Sequence, residues 1–158
     1  MPNIHDPDFD EPRDHAGFRC LRARLGRQAG SKRLGLSLFE VPPGQAPYPY
    51  HFHLTEEELL IVVSGRPSVR TADGWRELAE GEVLAFPRGE SGAHQIVNRT
   101  EETIRFLAFS TSGEPDVVVQ PDSGKLGAFE RTPEGGGLRV WFKEDDAVDY
   151  YEGEEPPS

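Results

Sequence analysis

The sequence is poor in cysteine and in long apolar runs, and both absences limit what the protein can be. Cys20 is the only cysteine among 158 residues, so no intramolecular disulfide and no thiolate cluster for a metal can form. The longest apolar run, residues 59–63, is far too short to span a membrane. The first residues, MPNIHD, contain neither the basic flank nor the apolar core of a signal peptide. We therefore expect a cytoplasmic protein.

Positive charge is also scarce, because 17 Lys and Arg residues face 28 Asp and Glu residues, a formal net charge of −11. Such a field repels duplex nucleic acid and anionic membranes, so neither is expected as a partner. The charge is unevenly distributed, since residues 19–33 are basic and residues 144–155 are acidic. The basic segment is either an anion site, or a solvated strand that can pair with the acidic segment. The second interpretation is favoured because runs of like charge are usually solvated.

Seventeen glycines and 14 prolines predict many turns and short elements, which favours an all-β fold. No segment shows helical periodicity over three turns. Residues 17–28 alternate loosely and predict a further strand. The clearest predicted strands, with turn signals every 8 to 12 residues, are 34–41, 57–63, 68–71, 75–78, 82–86, 93–98, 103–110, 117–119, 126–129 and 138–142.

These strands predict one barrel domain over residues 17–143, with its core at 34–111, and N- and C-terminal strand extensions. A polar arm (residues 1–16) precedes it, and an acidic tail (residues 144–158) follows. In the strand at 57–63, an inward Glu58 places Leu60 and Val62 inside the barrel as well. The equally apolar outer face must then be covered by terminal segments, by a second subunit, or by both, so we expect a homodimer.

The residues that predict chemistry lie between positions 44 and 98. His51 and His53 are one residue apart, which on a strand puts both imidazoles on the same face. Glu58 follows after a turn, and His94 lies on a later strand. Three imidazoles and one carboxylate suit one divalent transition metal per chain, from Fe, Mn, Zn, Ni, Cu or Co. Four protein ligands leave positions open for water or substrate.

Several further residues are candidates for the same cavity. Glu57 is the rival of Glu58 as a ligand, although strand parity favours Glu58. Tyr50, Glu57 and Arg88 are weak candidates for catalysis, and each is as readily interpreted as a packing or surface residue. Four side chains are predicted to line a substrate pocket: Tyr48, Leu60, Phe86 and Phe109.

The spacing of these residues resembles that of a known family. Gly44, His51, His53, Glu58 and Gly65 form one motif; the second reads Gly81, Pro87, Gly89, His94 and Asn98. Both are similar to the conserved motifs of the cupin superfamily, and the runs FPRGESGAHQIVNRT and PDSGK resemble small bacterial cupins. The resemblance implies a double-stranded β-helix, or jelly roll. It also implies metal ligands at the three histidines and the glutamate, turn glycines at 65 and 81, and a strand-end role for Asn98.

Two spacings depart from that pattern. One extra residue lies between Gly44 and His51, and two extra residues lie between Gly89 and His94. Insertions in loops are tolerated, so the fold is expected to survive them.

The family resemblance leaves several functions open. A dioxygenase or lyase acting on a small oxygenated molecule ranks first, and a non-catalytic carboxylate- or sugar-binding protein is the alternative. A purely structural metal, or an empty pocket, is a third interpretation. A sugar-phosphate isomerase ranks lower, because only Arg88, and a strand arginine such as Arg70 or Arg105, offer positive charge near the site.

Overall fold

Short strands make up nearly all the regular structure of the protein. The computed structural model describes residues 1–112, 115–130 and 137–157. The strands in these residues are β1 Arg13–His15, β2 Phe18–Ala23, β3 Gly35–Val41, β4 Phe52–His53, β5 Glu58–Ser64, β6 Ser68–Thr71, β7 Gly74–Glu77, β8 Val83–Phe86, β9 Gln95–Val97, β10 Ile104–Ser110, β11 Asp116–Gln120, β12 Lys125–Phe129 and β13 Arg139–Lys143. Within the described ranges, no helix is long and apolar enough to cross a membrane.

The strand predicted over residues 17–28 ends earlier than expected. It stops at Ala23, and a four-residue helix, α1 (Leu25–Gln28), follows. The helix packs its glycine closely on β3, where a Cβ at Gly26 would lie 2.9 Å from the backbone nitrogen of Leu36. This contact turns the basic segment back across the barrel instead of letting it run on as a strand.

Three antiparallel sheets build the barrel. One sheet has the order β1-β2-β3-β10-β5-β8, a second β13-β12-β11-β4, and a third β7-β6-β9. An isolated bridge between His51 and His94 connects the second sheet to the third. The two together face the six-stranded sheet, which confirms the all-β jelly-roll prediction.

The main core lies between the facing sheets. Phe106 of β10 is completely buried and stacks on Phe39 of β3, with ring centroids 5.0 Å apart. Leu60 and Val62 also point into this core, at 1% and 2% exposure. The inward direction predicted for this side of β5 is therefore confirmed.

The outer face of the six-stranded sheet is covered in part by the chain itself. Val63 packs in a second apolar cluster, around the buried side chains of Leu25 and Leu38. Two residues of the polar arm, Ile4 and Phe9, pack on the same cluster. A terminal segment thus provides one of the expected covers, and the homodimer stays a prediction.

Asn98 ties the end of β3 to the turn that precedes β10. It is fully buried, and its Nδ2 donates to the carbonyl oxygens of Val41 at 2.9 Å and Glu102 at 2.7 Å. Its Oδ1 accepts from the backbone nitrogen of Thr100 at 3.0 Å and from the Thr100 hydroxyl at 2.7 Å. Few other side chains could satisfy two acceptors and two donors at once.

We predict that Asn98→Ala lowers the free energy of unfolding by about 2–4 kcal/mol, because it leaves buried backbone groups without partners. Urea denaturation of the wild type and the variant measures the difference. Asn3→Ala is the control, since Asn3 is exposed and its side chain accepts a hydrogen bond from the His5 backbone nitrogen within the arm. Equal loss of stability in both variants would contradict the structural role of Asn98.

Candidate metal centre

The structure brings the four predicted ligands together inside the barrel. One candidate ligand atom from each of His51, His53 and Glu58 lies within 4.8 Å of the others. The Glu58 Oε2 atom is 3.5 Å from Nε2 of His53 and 3.4 Å from Nε2 of His94. His94, the fourth predicted ligand, therefore meets the cluster at the same oxygen of Glu58 as His53 does.

Backbone pairing explains why these side chains converge. His51 and His94 exchange two backbone hydrogen bonds, of 3.0 and 2.9 Å, so they lie directly opposite each other. Directly opposed residues point to the same face of a sheet, and the two ring centroids are 4.8 Å apart. His53 shares that face by strand alternation, whereas Glu58 reaches the cluster from the opposing six-stranded sheet.

Hydrogen bonds on the far side of each ring determine which nitrogen can bind a cation. The Nδ1 atoms of His51 and His94 each lie 3.0 Å from a backbone carbonyl oxygen, those of Pro49 and Gly92. The Nδ1 atom of His53 lies 2.5 Å from Asp116 Oδ2. A carbonyl or carboxylate oxygen can only accept, so Nδ1 donates in each ring. The lone pair of a neutral ring then lies on Nε2, on the side of the cluster.

The pKa values favour neutral rings at two of these positions. Burial lowers the pKa of His51 well below its ordinary value, and the neighbouring His94 and His53 lower it further. Burial lowers the pKa of His94 to about 4. Both imidazoles are therefore neutral at neutral pH, which is the form that binds a metal ion.

The surroundings of the Glu58 carboxylate show whether a divalent cation fits this cluster. Its Oε2 atom is buried and accepts no hydrogen bond from the described residues. Burial also raises the pKa of the Glu58 carboxyl, as expected for a charge that lacks compensation. A cation at the meeting point of the three Nε2 atoms would satisfy this oxygen, so the donor set fits a divalent transition metal.

Asp116 is a residue of the candidate centre that the sequence did not predict. Its side chain is completely buried, and besides His53 it accepts from the Thr55 hydroxyl at 2.8 Å and the Thr55 backbone nitrogen at 3.3 Å. Burial alone would raise its pKa, but these hydrogen bonds and the charge of His53 outweigh burial and lower it. For His53 the balance has the opposite sign. Burial alone would lower the pKa of this ring, but the hydrogen bond to Asp116 and the charge of Glu58 outweigh burial and raise it. No local motif marked Asp116, because it lies 63 residues from its partner.

Glu56 is the second missed residue. It is only 2% exposed, and a carboxylate oxygen of Glu56 lies within 4.8 Å of ligand atoms of His53 and Asp116. Glu57, the candidate named from the sequence, is exposed, and its backbone bonds to Thr111. The turn before β5 thus directs the earlier glutamate inward.

The cluster opens into a cavity of about 1040 Å³, lined by all four residues predicted for a substrate pocket. Phe86 stacks on the His94 ring at 3.7 Å between centroids, and Tyr48 meets the His51 ring edge-on at 4.8 Å. Tyr50 and Arg88 do not reach this lining. Tyr50 is buried beneath the Arg70 guanidinium, 4.1 Å from the ring centroid, and Arg88 is exposed on its loop.

The cavity collects positive charge in an acidic protein. Among the described residues, four glutamates and seven cationic side chains line it, an excess of three positive charges. The cationic residues are Arg13, Arg22, Arg24, Arg27, Lys32, Arg33 and Arg139.

The basic segment predicted from the sequence supplies most of these cations. Arg24 pairs with arm carboxylates, Asp10 at 3.2 Å and Glu11 at 3.5 Å. Arg27, Lys32 and Arg33 are exposed and form no ion pair with any described carboxylate. We name these last three residues the cationic rim. The described ion pairs of the basic segment thus go to the arm and not to the acidic tail.

The three cations considered from the sequence are not those of the cavity. Arg70 pairs with Asp122 at 2.6 Å and Arg105 with Glu40 at 2.8 Å, both outside the cavity lining. Arg88 is equally remote from it. Positive charge therefore reaches the cavity from residues other than the three on which a phosphorylated substrate was ranked low.

A jelly roll with a His–His–Glu–His cluster is typical of cupins, and comparison with known proteins agrees with this classification. Residues 37–110 match the sequence profile of the cupin domain. Over these residues the barrel is similar to a small cupin-superfamily domain. No curated protein shows significant similarity to the whole sequence.

Solved structures give further similarities. A protein from Acidithiobacillus ferrooxidans, provisionally described as a sugar phosphate isomerase, is 26% identical, with TM-score 0.75 over 84% of this chain and 81% of its own. A sugar phosphate isomerase of the cupin superfamily from Silicibacter pomeroyi is 23% identical, with TM-score 0.73 over 84% and 82%. The polyketide cyclase RemF from Streptomyces resistomycificus is 27% identical, with TM-score 0.52 over 67% and 83%.

We predict that Asp116→Asn weakens metal binding about 10- to 100-fold, because the amide no longer holds His53 as a carboxylate does. Competition with a chromophoric chelator measures the affinity. Asp122→Asn is the matched control, since this surface carboxylate pairs with Arg70 away from the cluster. Unchanged affinity in Asp116→Asn would show that His53 needs no such support, or is not a ligand.

Proposed function

We propose that the protein is a metal-dependent isomerase of a small sugar phosphate. The observation that carries the proposal is that the cationic rim lines the same cavity as the candidate metal ligands. A phosphorylated sugar has the two chemical ends that this cavity would accommodate, a dianion for the rim and vicinal oxygens for a metal. The likeness to the Acidithiobacillus ferrooxidans protein supports the same substrate class.

His51, His53, Glu58 and His94 would hold the metal, which when bound supplies Lewis acidity to a substrate carbonyl or hydroxyl oxygen. The rim would bind the phosphate and so orient the sugar with its carbon chain toward the cluster. Phe86 and Tyr48 pack against the histidine rings and give the cavity an aromatic wall beside them. These contacts position the substrate, but they cannot move a proton between its carbons.

Glu56 is the side chain best placed for that proton transfer. It lines the cavity, is almost fully buried, and lies outside the proposed set of four ligands. The other two glutamates of the lining outside that set, Glu11 and Glu130, belong to the arm and to the end of β12, and Glu11 pairs with Arg22 at 3.2 Å. Glu56 would take a proton from one substrate carbon and return it to the next, while the hydroxyl proton on the first carbon passes to the carbonyl oxygen on the second.

We predict that Glu56→Gln lowers kcat for isomerisation about 10²- to 10⁴-fold, the usual contribution of a general base, while bound metal stays at the wild-type level. Steady-state kinetics and elemental analysis of the same samples measure both quantities. Glu57→Gln is the matched control, because the neighbouring carboxylate is exposed. Equal rates in the two variants would exclude Glu56 as the base.

Oxygenase or lyase chemistry is the second candidate, favoured by the aromatic and aliphatic part of the lining, Phe86, Phe109 and Leu60. A cavity of this kind suits a less polar substrate that keeps clear of the rim. A non-catalytic binding protein would use the same cavity without Glu56. The substrate screen separates these alternatives from the isomerase.

The proposal is tested with three proteins: the wild type, His51→Ala/His94→Ala, and the rim variant Arg27→Ala/Lys32→Ala/Arg33→Ala. We expect about one equivalent of transition metal in the wild type and in the rim variant, and none in the double histidine variant. Aldose and ketose phosphates are then assayed for interconversion.

We predict that the rim variant raises KM for the phosphorylated sugar about tenfold or more, because three uncompensated cations are lost. Metal content and KM for the corresponding unphosphorylated sugar remain the same. Metal without any isomerisation, together with oxidation or cleavage of another substrate, would refute the isomerase and support the second candidate. Ligand binding without turnover would support the non-catalytic alternative.

A further inference from the structure

The side-chain amide of Gln120 lies in the wall of the cavity. Its side chain is 8% exposed, and its Oε1 atom is buried without a hydrogen-bond partner in the described part of the chain. A buried amide oxygen left unpaired costs free energy, so folded proteins seldom keep one without a use. Gln120 also lines the cavity that contains the metal cluster.

Strand β11 places this amide beside the cluster. Val118 pairs with His53, and Val119 pairs with Phe52, so the next step along the register sets Gln120 opposite His51. Alternation puts Gln120 on the same face as Val118 and Asp116, and the burial of these three residues agrees. One face of β11 thus supports His53 at one end and presents an amide near His51 at the other.

The chemistry of an amide limits what it can bind. Gln120 offers an acceptor oxygen and an NH₂ donor but no charge. It therefore suits a neutral hydroxyl or carbonyl group better than a phosphate, which the rim accommodates. Gln120 therefore offers an uncharged polar contact near the cluster, whereas the rim offers a cationic one.

We propose that Gln120 is a substrate-binding residue, which hydrogen-bonds a sugar hydroxyl next to the metal centre. The proposal rests on the proposed function and adds to it the residue that distinguishes a hydroxylated ligand from a simple anion. The amide binds the sugar part of the substrate, and the rim binds its phosphate.

The test measures binding, not turnover, with fructose 6-phosphate and inorganic phosphate as the two probes. Isothermal titration calorimetry is carried out on Zn²⁺-loaded wild type, Gln120→Leu and Gln120→Ala. Gln45→Leu is the matched control, because Gln45 has the same kind of buried, unpartnered Oε1 but lies outside the cavity lining. Zinc content and thermal melting verify that each variant is folded and loaded.

We expect both Gln120 variants to bind fructose 6-phosphate about threefold to tenfold more weakly than the wild type, the loss expected for one hydrogen bond. Their affinity for inorganic phosphate stays at the wild-type level, and Gln45→Leu changes neither probe. Unchanged binding of fructose 6-phosphate in the Gln120 variants overturns this inference and leaves the proposed function standing. Equal weakening of both probes also overturns it. A wild type that binds neither probe overturns the sugar-phosphate proposal itself.

Discussion

The pair of backbone hydrogen bonds between His51 and His94 is the constraint on which the candidate site depends. These bonds join two sheets that would otherwise be separate, and they place the two imidazoles on one face. A shift of the register by one residue would turn one of these rings out of the barrel. Closure of the barrel and assembly of the cluster are therefore the same structural event.

Electrostatics acts locally in this protein and against its overall charge. The arm carboxylates Asp10 and Glu11 pair with arginines of the basic segment and hold it against the barrel. That pairing leaves the cations of the rim without partners among the described residues. A chain with a formal charge of −11 can therefore attract an anion, because the field inside a cleft depends on the side chains that line it.

The sequence predicted the parts of the site that follow from strand alternation and motif spacing. His51 and His53 share a face because one residue separates them, and Glu58 points inward together with Leu60. Strand alternation could not assign Glu56, because that residue lies in a turn where the alternation does not hold. The all-β fold was predictable because its strands are short and separated by glycine and proline.

Contacts between distant parts of the chain were beyond the reach of that reasoning. Asp116 meets His53 only after β11 pairs with β4, and the basic segment reaches the cavity only because α1 packs on β3. Local propensity contains no information on either contact. The prediction of which cations lie near the site was wrong for this reason, although the basic segment itself was recognised.

The strand β11 lies beyond residues 37–110, the part that matches the cupin domain profile. Two of its side chains nevertheless face the cluster, Asp116 directly and Gln120 through the cavity. The four proposed metal ligands therefore lie within the profile, whereas the residue that supports His53 and the proposed substrate-binding amide both lie outside it. Exchange of this one strand between related barrels would alter the proposed selectivity and the support of His53 while leaving the four proposed ligands in place, so divergence of function in such proteins is best sought in their extensions.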